Sequence, residues 1–194
     1  GITNTGFEIE LYYAATDRLT LSGNFSYTET EYGEDYFVFT VDDPINPVPV
    51  FGTFTQGFVS AQVTDPSQAS DYTVNLKGGP LKGIPEEKAT IRVSYEQDTR
   101  FGPLYYLLSH SYTGDFSASG IQRPLDRIDS RETTNLNISW YSQDGNLSLR
   151  AYVDNLFDND NYYALSTGDH ETNYRKSVTA LPPRVMGLDI RYRF

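Results

Sequence analysis

His110 and His170 are the only imidazoles in the chain, and Ser109 and Ser111 flank the first of them. A serine hydroxyl beside a histidine base could attack a carbonyl, provided the two groups meet. In "PLYYLLSHSY" at 103–112, read as a strand, both serines fall on the face opposite His110, so this spacing keeps base and nucleophile apart. The run "DNDN" at 158–161 is rich in oxygen ligands of the kind calcium takes. It lacks the further spaced ligands of an EF-hand loop and reads as a turn. No glycine-rich phosphate loop or zinc-ligand cluster occurs, and without cysteine there is neither a disulfide framework nor a thiolate metal site. Asn24, Asn137 and Asn146 each open an Asn-x-Ser triplet, but polar alternation and a turn account for them. The expectation is no catalytic residue, no metal site and no cofactor.

What remains is binding chemistry. The connector 33–83 interleaves Tyr36, Phe37, Phe39, Phe51, Phe54 and Phe58 with Pro44, Pro47 and Pro49. Aromatic platforms stack on sugars or apolar ligands, and proline stiffening lowers the ordering cost of binding; packing of the loop against its neighbours would use the same rings. Glu34, Asp35, Asp42, Asp43, Asp65 and Asp71 outnumber Lys77 and Lys82 there, a balance that leans away from strongly anionic ligands. A second set is Arg150, Arg191 and Arg193, which strand alternation puts on one polar face.

The elements that must position these residues are strands. In 7–13, Phe7, Ile9, Leu11 and Tyr13 oppose Glu8, Glu10 and Tyr12; in 19–28, Leu19, Leu21, Gly23, Phe25 and Tyr27 oppose Ser, Thr and Asn. The pattern returns at 89–97 and at 134–142, and at 147–157 with Leu147, Leu149, Ala151, Val153 and Phe157 on the apolar side. It is less clean at 103–112, where Leu107 breaks the polar row and His110 the apolar one. The chain ends on "GLDIRYRF", with Leu188, Ile190, Tyr192 and Phe194 in one row. Short links, "ATDR", "DTRFG" and "SQDGN", alternate with long polar connectors at 33–83, about 113–130 and 164–181.

Tight turns on one rim and long loops on the other describe an antiparallel transmembrane β-barrel. Tyr13, Tyr95, Trp140, Tyr192 and Phe194 would then belt the short-turn rim, with Tyr27, Tyr112 and Phe157 towards the other. Alternation alone also suits a β-sandwich with aromatic core residues. The opposite faces, dominated by Ser, Thr, Asn and Tyr with a few Arg, suit a water-filled lumen better. Seven antiparallel strands cannot close, and an open edge in lipid leaves backbone groups unsatisfied, so further strands are expected and the chain reads as the C-terminal part of a larger barrel.

Composition agrees. A formal charge of −11 supplies no basic footprint for nucleic acid, so no such partner is expected. Sixteen Tyr and eleven Phe favour strands, and no apolar run reaches the roughly 20 residues of a membrane helix. Gly1 at the start, with Met186 the sole methionine, reads as a processed or excised piece.

At "YVDNLFDNDNYY" (152–163) and "LPPRVMGLDIRYRF" (181–194) the chain resembles the last two strands of TonB-dependent outer-membrane receptors. That family's penultimate strand carries Asn-Leu-Phe-Asp followed by Tyr, and its final strand runs from Pro-Arg through Gly to a terminal aromatic, matched by Pro183, Arg184, Gly187 and Phe194. "GFEIEL" at 6–11 and "LKGIPEEKATIRVSY" at 81–95 also look like the family, so the resemblance spans essentially the whole chain. It implies residues 1–194 of a larger barrel of about 22 strands, with the plug domain absent from this chain. The implied role is TonB-energised uptake of a siderophore, cobalamin or oligosaccharide across a Gram-negative outer membrane. The implied partners are outer-membrane lipid, the nutrient ligand, the TonB complex through a missing N-terminal region, and the barrel-assembly machinery. That machinery would read Leu188, Ile190, Tyr192 and Phe194, while Arg150, Arg191 and Arg193 would meet acids of the plug. A passive porin-like channel and a soluble carbohydrate-binding β-sandwich are the alternatives.

Overall fold

The computed structural model describes residues 1–39, 73–121, 124–167 and 175–194. The strands are β1 (Ile2–Ala14), β2 (Leu19–Tyr32), β3 (Phe37–Phe39), β4 (Thr73–Asn75), β5 (Glu87–Thr99), β6 (Gly102–Thr113), β7 (Phe116–Ser117), β8 (Arg127–Ile128), β9 (Arg131–Tyr141), β10 (Leu147–Asp154), β11 (Tyr162–Thr167), β12 (Lys176–Ala180) and β13 (Val185–Tyr192). Seven of them form one antiparallel sheet in the order β1-β2-β5-β6-β9-β10-β13. The other six pair as small hairpins inside the long connectors, a feature the polar composition of those connectors did not foretell.

Register carries the alternation across the whole sheet. Leu11 lies opposite Gly23, Gly23 opposite Ile91, Ile91 opposite His110 and His110 opposite Thr134. One level nearer the short turns, Tyr13, Leu21, Val93, Leu108, Leu136, Val153 and Met186 form an unbroken apolar row over all seven strands. A slip of one residue in any pair would put an apolar row on the polar face, so the pattern fixes the register. The phase of β6 follows this rule: Tyr106, Leu108, His110 and Tyr112 share the apolar side, and Leu107 sits among Ser94 and Asn137 on the polar one.

Those rows do not fold onto one another. Among the described residues the buried hydrophobic side chains are Leu76 and Ile128, both in connectors, whereas Leu11 is 70% exposed and Ile190 66%. A sandwich would have hidden these groups in an interior about 10 Å thick between two sheets. Here there is one sheet with a whole apolar face uncovered. Among the described residues no helix is long and apolar enough to cross a membrane.

The short turns are built by local side-chain acceptors. Thr16 Oγ1 takes the Leu19 amide at 3.0 Å, Thr99 Oγ1 takes the Phe101 amide at 3.2 Å, and Asp144 Oδ1 takes the Asn146 amide at 3.1 Å. Gly102 has φ of 123°, and its missing Cβ leaves room for the Tyr141 carbonyl on the neighbouring strand. The β10 strand is shorter than the alternation suggests. It stops at Asp154 because Asn155 turns left-handed at φ 52°, so Phe157 lies in the turn and outside the wall, 75% exposed.

Candidate functional site

The polar face is the candidate site, because its rows bring together groups that strand alternation scatters along the sequence. Towards the short-turn rim, Arg150 lies opposite Asp189 on β13 and Ser139 on β9, and Arg191 lies opposite Ser148. Arg150 is not a free cation. Its Nε and Nη2 donate to Asn137 Oδ1 at 3.0 and 2.8 Å, its Nη1 stands 3.5 Å from Asp189 Oδ2, and its guanidinium caps the Tyr152 ring at 4.9 Å. That ring in turn lies over Gly187, where a Cβ would collide with it. Among the described residues the Arg191 side chain has no hydrogen-bond or ion-pair partner, and Arg193 is tied only through its backbone N–H to the Asn146 carbonyl at 2.9 Å.

At the other rim the long connectors are joined to the wall and to each other. Thr30 Oγ1, buried, accepts the Leu81 amide at 3.0 Å; the Gly83 amide donates to Ser117 carbonyl at 2.8 Å; Asn161 Nδ2 donates to Ser130 carbonyl at 2.7 Å. Of the six aromatic residues expected to bind ligand, Tyr36 stacks on Tyr32 with ring centroids 5.5 Å apart and planes 10° from parallel. Phe37 and Phe39 lie in β3, while Phe51, Phe54 and Phe58 fall outside the described residues, as does His170. Beside the Tyr pair, Asp35 accepts from Asn75 Nδ2 at 3.0 Å and faces Lys77 Nζ at 3.2 Å; these two neighbours hold its carboxyl below the usual aspartate range.

A cleft of about 630 Å³ opens between the connectors at Ile84, Glu87, Tyr112, Asp115, Phe116 and Arg127. Glu87 and Tyr112 belong to the apolar phase of their strands and Glu86, which also lines the cleft, has the polar parity, so the cleft sits at the end of the wall and belongs to neither face alone. His110 also belongs to the apolar phase, its Nδ1 2.9 Å from Thr134 Oγ1, on the far side of the strand from Ser109 and Ser111. Among the described residues no three potential metal ligands cluster.

The two segments that carry the family resemblance bond to each other. Asn155 is 4% exposed; its Nδ2 donates to the Asn159 and Pro182 carbonyls, both at 2.9 Å, and its Oδ1 accepts the Asn159 amide at 2.9 Å. Asp158 Oδ1 accepts the Arg184 amide at 2.8 Å, and the Arg184 guanidinium reaches back to the Leu156 carbonyl at 3.5 Å. The Asn-Leu-Phe-Asp turn and the Pro-Pro-Arg entry to β13 therefore form one clip, which closes the 155–184 connector at its base.

The family model described as TonB dependent receptor-like, beta-barrel matches residues 1–156, most of the chain. The chain belongs to this family of TonB-dependent receptor β-barrels. Its members are transport receptors of the Gram-negative outer membrane, not enzymes. Among solved structures, the chain resembles the ferric yersiniabactin uptake receptor of Yersinia pestis, with TM-score 0.69 and 18% identity over 100% of this chain and 24% of that one. It also resembles the siderophore receptor PiuA of Acinetobacter baumannii, with TM-score 0.66 and 13% identity over 98% of this chain and 22% of that one. A third likeness is to the ferric citrate transporter FecA in its unliganded form, with TM-score 0.62 and 16% identity over 100% of this chain and 24% of that one. The chain thus spans about a quarter of the length of the solved receptors it matches. No curated protein sequence matches it.

Proposed function

We propose that residues 1–194 form the C-terminal portion of a β-barrel in a Gram-negative outer membrane, in a receptor that takes up a scarce nutrient with energy delivered through TonB. The observation that carries this reading is the uncovered apolar face, continuous over seven registered strands, in a chain of this family. Hydrocarbon is the surrounding that makes such a face favourable, and closure with further strands satisfies the edges of β1 and β13. The polar face then lines the lumen, and the long connectors face outward with Tyr32 and Tyr36 at their base.

In this reading Arg191 and Arg193, free of side-chain partners among the described residues, pair with acids of a plug domain; Arg150 contributes less, since Asn137 and Asp189 already hold it. Leu188, Ile190, Tyr192 and Phe194 serve as the terminal strand that the barrel-assembly machinery captures through an exposed edge. A ferric chelate is the favoured cargo among the ligand classes, because the solved receptors of like fold include uptake receptors for such complexes.

The test is fractionation and uptake. The full-length protein should sediment with the outer membrane and resist extraction by salt, and a deletion strain should lose uptake of an iron-55 chelate that the complemented strain restores only when TonB is present. Recovery in the soluble fraction without detergent, or uptake independent of TonB, refutes the proposal.

A further inference from the structure

Where β5 and β6 meet the long connectors, residues drawn from 80–87 and 112–127 enclose the cleft of about 630 Å³, a volume in the range of small-molecule sites. Much of its wall is apolar. Leu81 and Ile84 come from the connector before β5, and Tyr112 and Phe116 from the end of β6 and the connector after it. Three carboxylates, those of Glu86, Glu87 and Asp115, share the cleft with one cation, Arg127. Arg127 is already matched, its Nη2 standing 2.6 Å from Asp115 Oδ2. The two glutamates are not: both are exposed, and among the described residues neither side chain has a hydrogen bond or an ion pair.

The backbone holds these glutamates in place. The Glu86 carbonyl accepts the Thr28 amide at 2.8 Å, the Glu87 carbonyl accepts the Gly114 amide at 2.8 Å, and the residue before them is the buried Pro85, whose ring fixes its own φ. Across the cleft the two connectors are bonded to each other through the Gly83 amide and the Ser117 carbonyl. A frame set before a ligand arrives loses little freedom when one binds. Charge then selects the ligand. An anion would meet three carboxylates, and a neutral molecule would leave the repulsion between Glu86 and Glu87 as it was, whereas a cation between them lowers it. A divalent metal ion asks for six or more oxygen ligands, and among the described residues no three potential metal ligands cluster. It would also make no use of the apolar walls. Glutamates on a plainly solvated face would carry the same charge, but they would not open onto a hollow lined by Leu81, Ile84, Tyr112 and Phe116.

We infer that this cleft binds a small organic cation, with an ammonium or guanidinium group held against Glu86 and Glu87 and an aromatic or aliphatic body covered by the apolar walls. The inference goes beyond the receptor reading. The cleft lies at the end of the wall and belongs to neither face alone, so its occupant answers to its own lining and is a different molecule from whatever passes along the polar face.

The experiment uses the full-length protein, purified in a non-ionic detergent, with para-fluorophenethylamine as the probe and fluorine NMR as the readout. At neutral pH the amine is charged, and its signal should broaden and shift saturably with added protein, less so as salt is raised. The alcohol of the same shape, para-fluorophenylethanol, should bind about tenfold more weakly, as the loss of a charge-assisted contact predicts. Methylamine, which has the charge without the body, should not displace the probe. Glu86→Gln and Glu87→Gln should each lower the affinity about fivefold and together further, while Glu8→Gln, on β1, should leave it unchanged. Heat-modifiable migration on a gel establishes that each variant has folded, and empty detergent micelles give the background from partition of the probe. Absence of saturable binding to folded wild type overturns the inference, as does equal binding of the amine and the alcohol, or equal binding by wild type and the Glu86→Gln/Glu87→Gln double variant. None of these results bears on whether the protein resides in the outer membrane or takes up its nutrient through TonB.

Discussion

Leu188→Arg is the substitution that most directly tests which solvent the apolar face meets. Leu188 is opposite Ala151, which is opposite Ile138, and it is 65% exposed on a strand whose apolar positions run from Met186 to Tyr192. It therefore sits well inside the apolar band. A cation there costs about 2–4 kcal/mol if the band is immersed in hydrocarbon, falling to about 0–1 kcal/mol at the interface. Tyr192 is four residues nearer the short-turn rim, a distance of about 14 Å along the strand and about 10 Å in depth at the usual tilt, so Tyr192→Arg should cost under about 1 kcal/mol. The larger figure corresponds to a 30- to 1,000-fold change in the folding equilibrium. Guanidinium unfolding of the full-length receptor in phosphatidylcholine vesicles, followed by heat-modifiable migration, measures both. Asp189→Asn, one residue away on the other face, loses an exposed 3.5 Å contact with Arg150 and should shift stability by less than about 1 kcal/mol. Equal costs for Leu188→Arg and Tyr192→Arg, with no gradient in depth, would refute the placement of this face in lipid.

Removing the clip at the base of the last connector should be visible locally. Asn155→Ala gives up three side-chain hydrogen bonds and places alanine at φ 52°, and should cost about 2–4 kcal/mol and expose 155–184 to protease; Asn155→Gly, which tolerates the angle, should cost less. The turn at 142–146 should loosen in acid. Hydrogen bonds from Ser142 Oγ and the Asn146 amide lower the Asp144 pKa in the folded state, so their stabilisation is complete above the ordinary aspartate range and is lost as pH falls through the depressed value. Observing the Asp144 carboxyl titrate by NMR at or above that ordinary range would contradict this. Charge reversal at Arg191 should weaken retention of the plug and slow transport, whereas Arg150→Gln should do less; unchanged plug protection in both would count against pairing across the lumen.

The wall was legible because a barrel strand between lipid and water obeys the simplest of all patterns, with each residue's solvent set by parity. His110 and Leu107, which break that parity, did not hide the phase of β6, because four other apolar residues outvoted them in the register. Phe157 misled for the opposite reason: it keeps the parity of Val153 but lies beyond a left-handed Asn155, and backbone handedness leaves no trace in hydrophobic spacing. The available signal was the pair of asparagines at 155 and 159, residues that tolerate that conformation and bind nearby backbone. Two other features needed register across the sheet. Asp189 neutralises Arg150 from 39 residues away, and Arg131 meets Lys88 only through Thr113. The connector hairpins were out of reach as well, being short pairs within segments whose composition reads as loop.

Parity also divides the information the chain carries. In the proposed receptor the apolar face answers to hydrocarbon, which asks the same of every barrel, so what distinguishes one receptor from another lies on the polar face. On that face the two groups of cations differ in what already compensates them. Arg150 has a carboxylate and an amide oxygen within reach, and its field is largely cancelled a few ångströms from the wall. Lys88, Arg92 and Arg131 have no such neighbours among the described residues, and Arg131 has in addition an enclosed N–H that water does not reach freely.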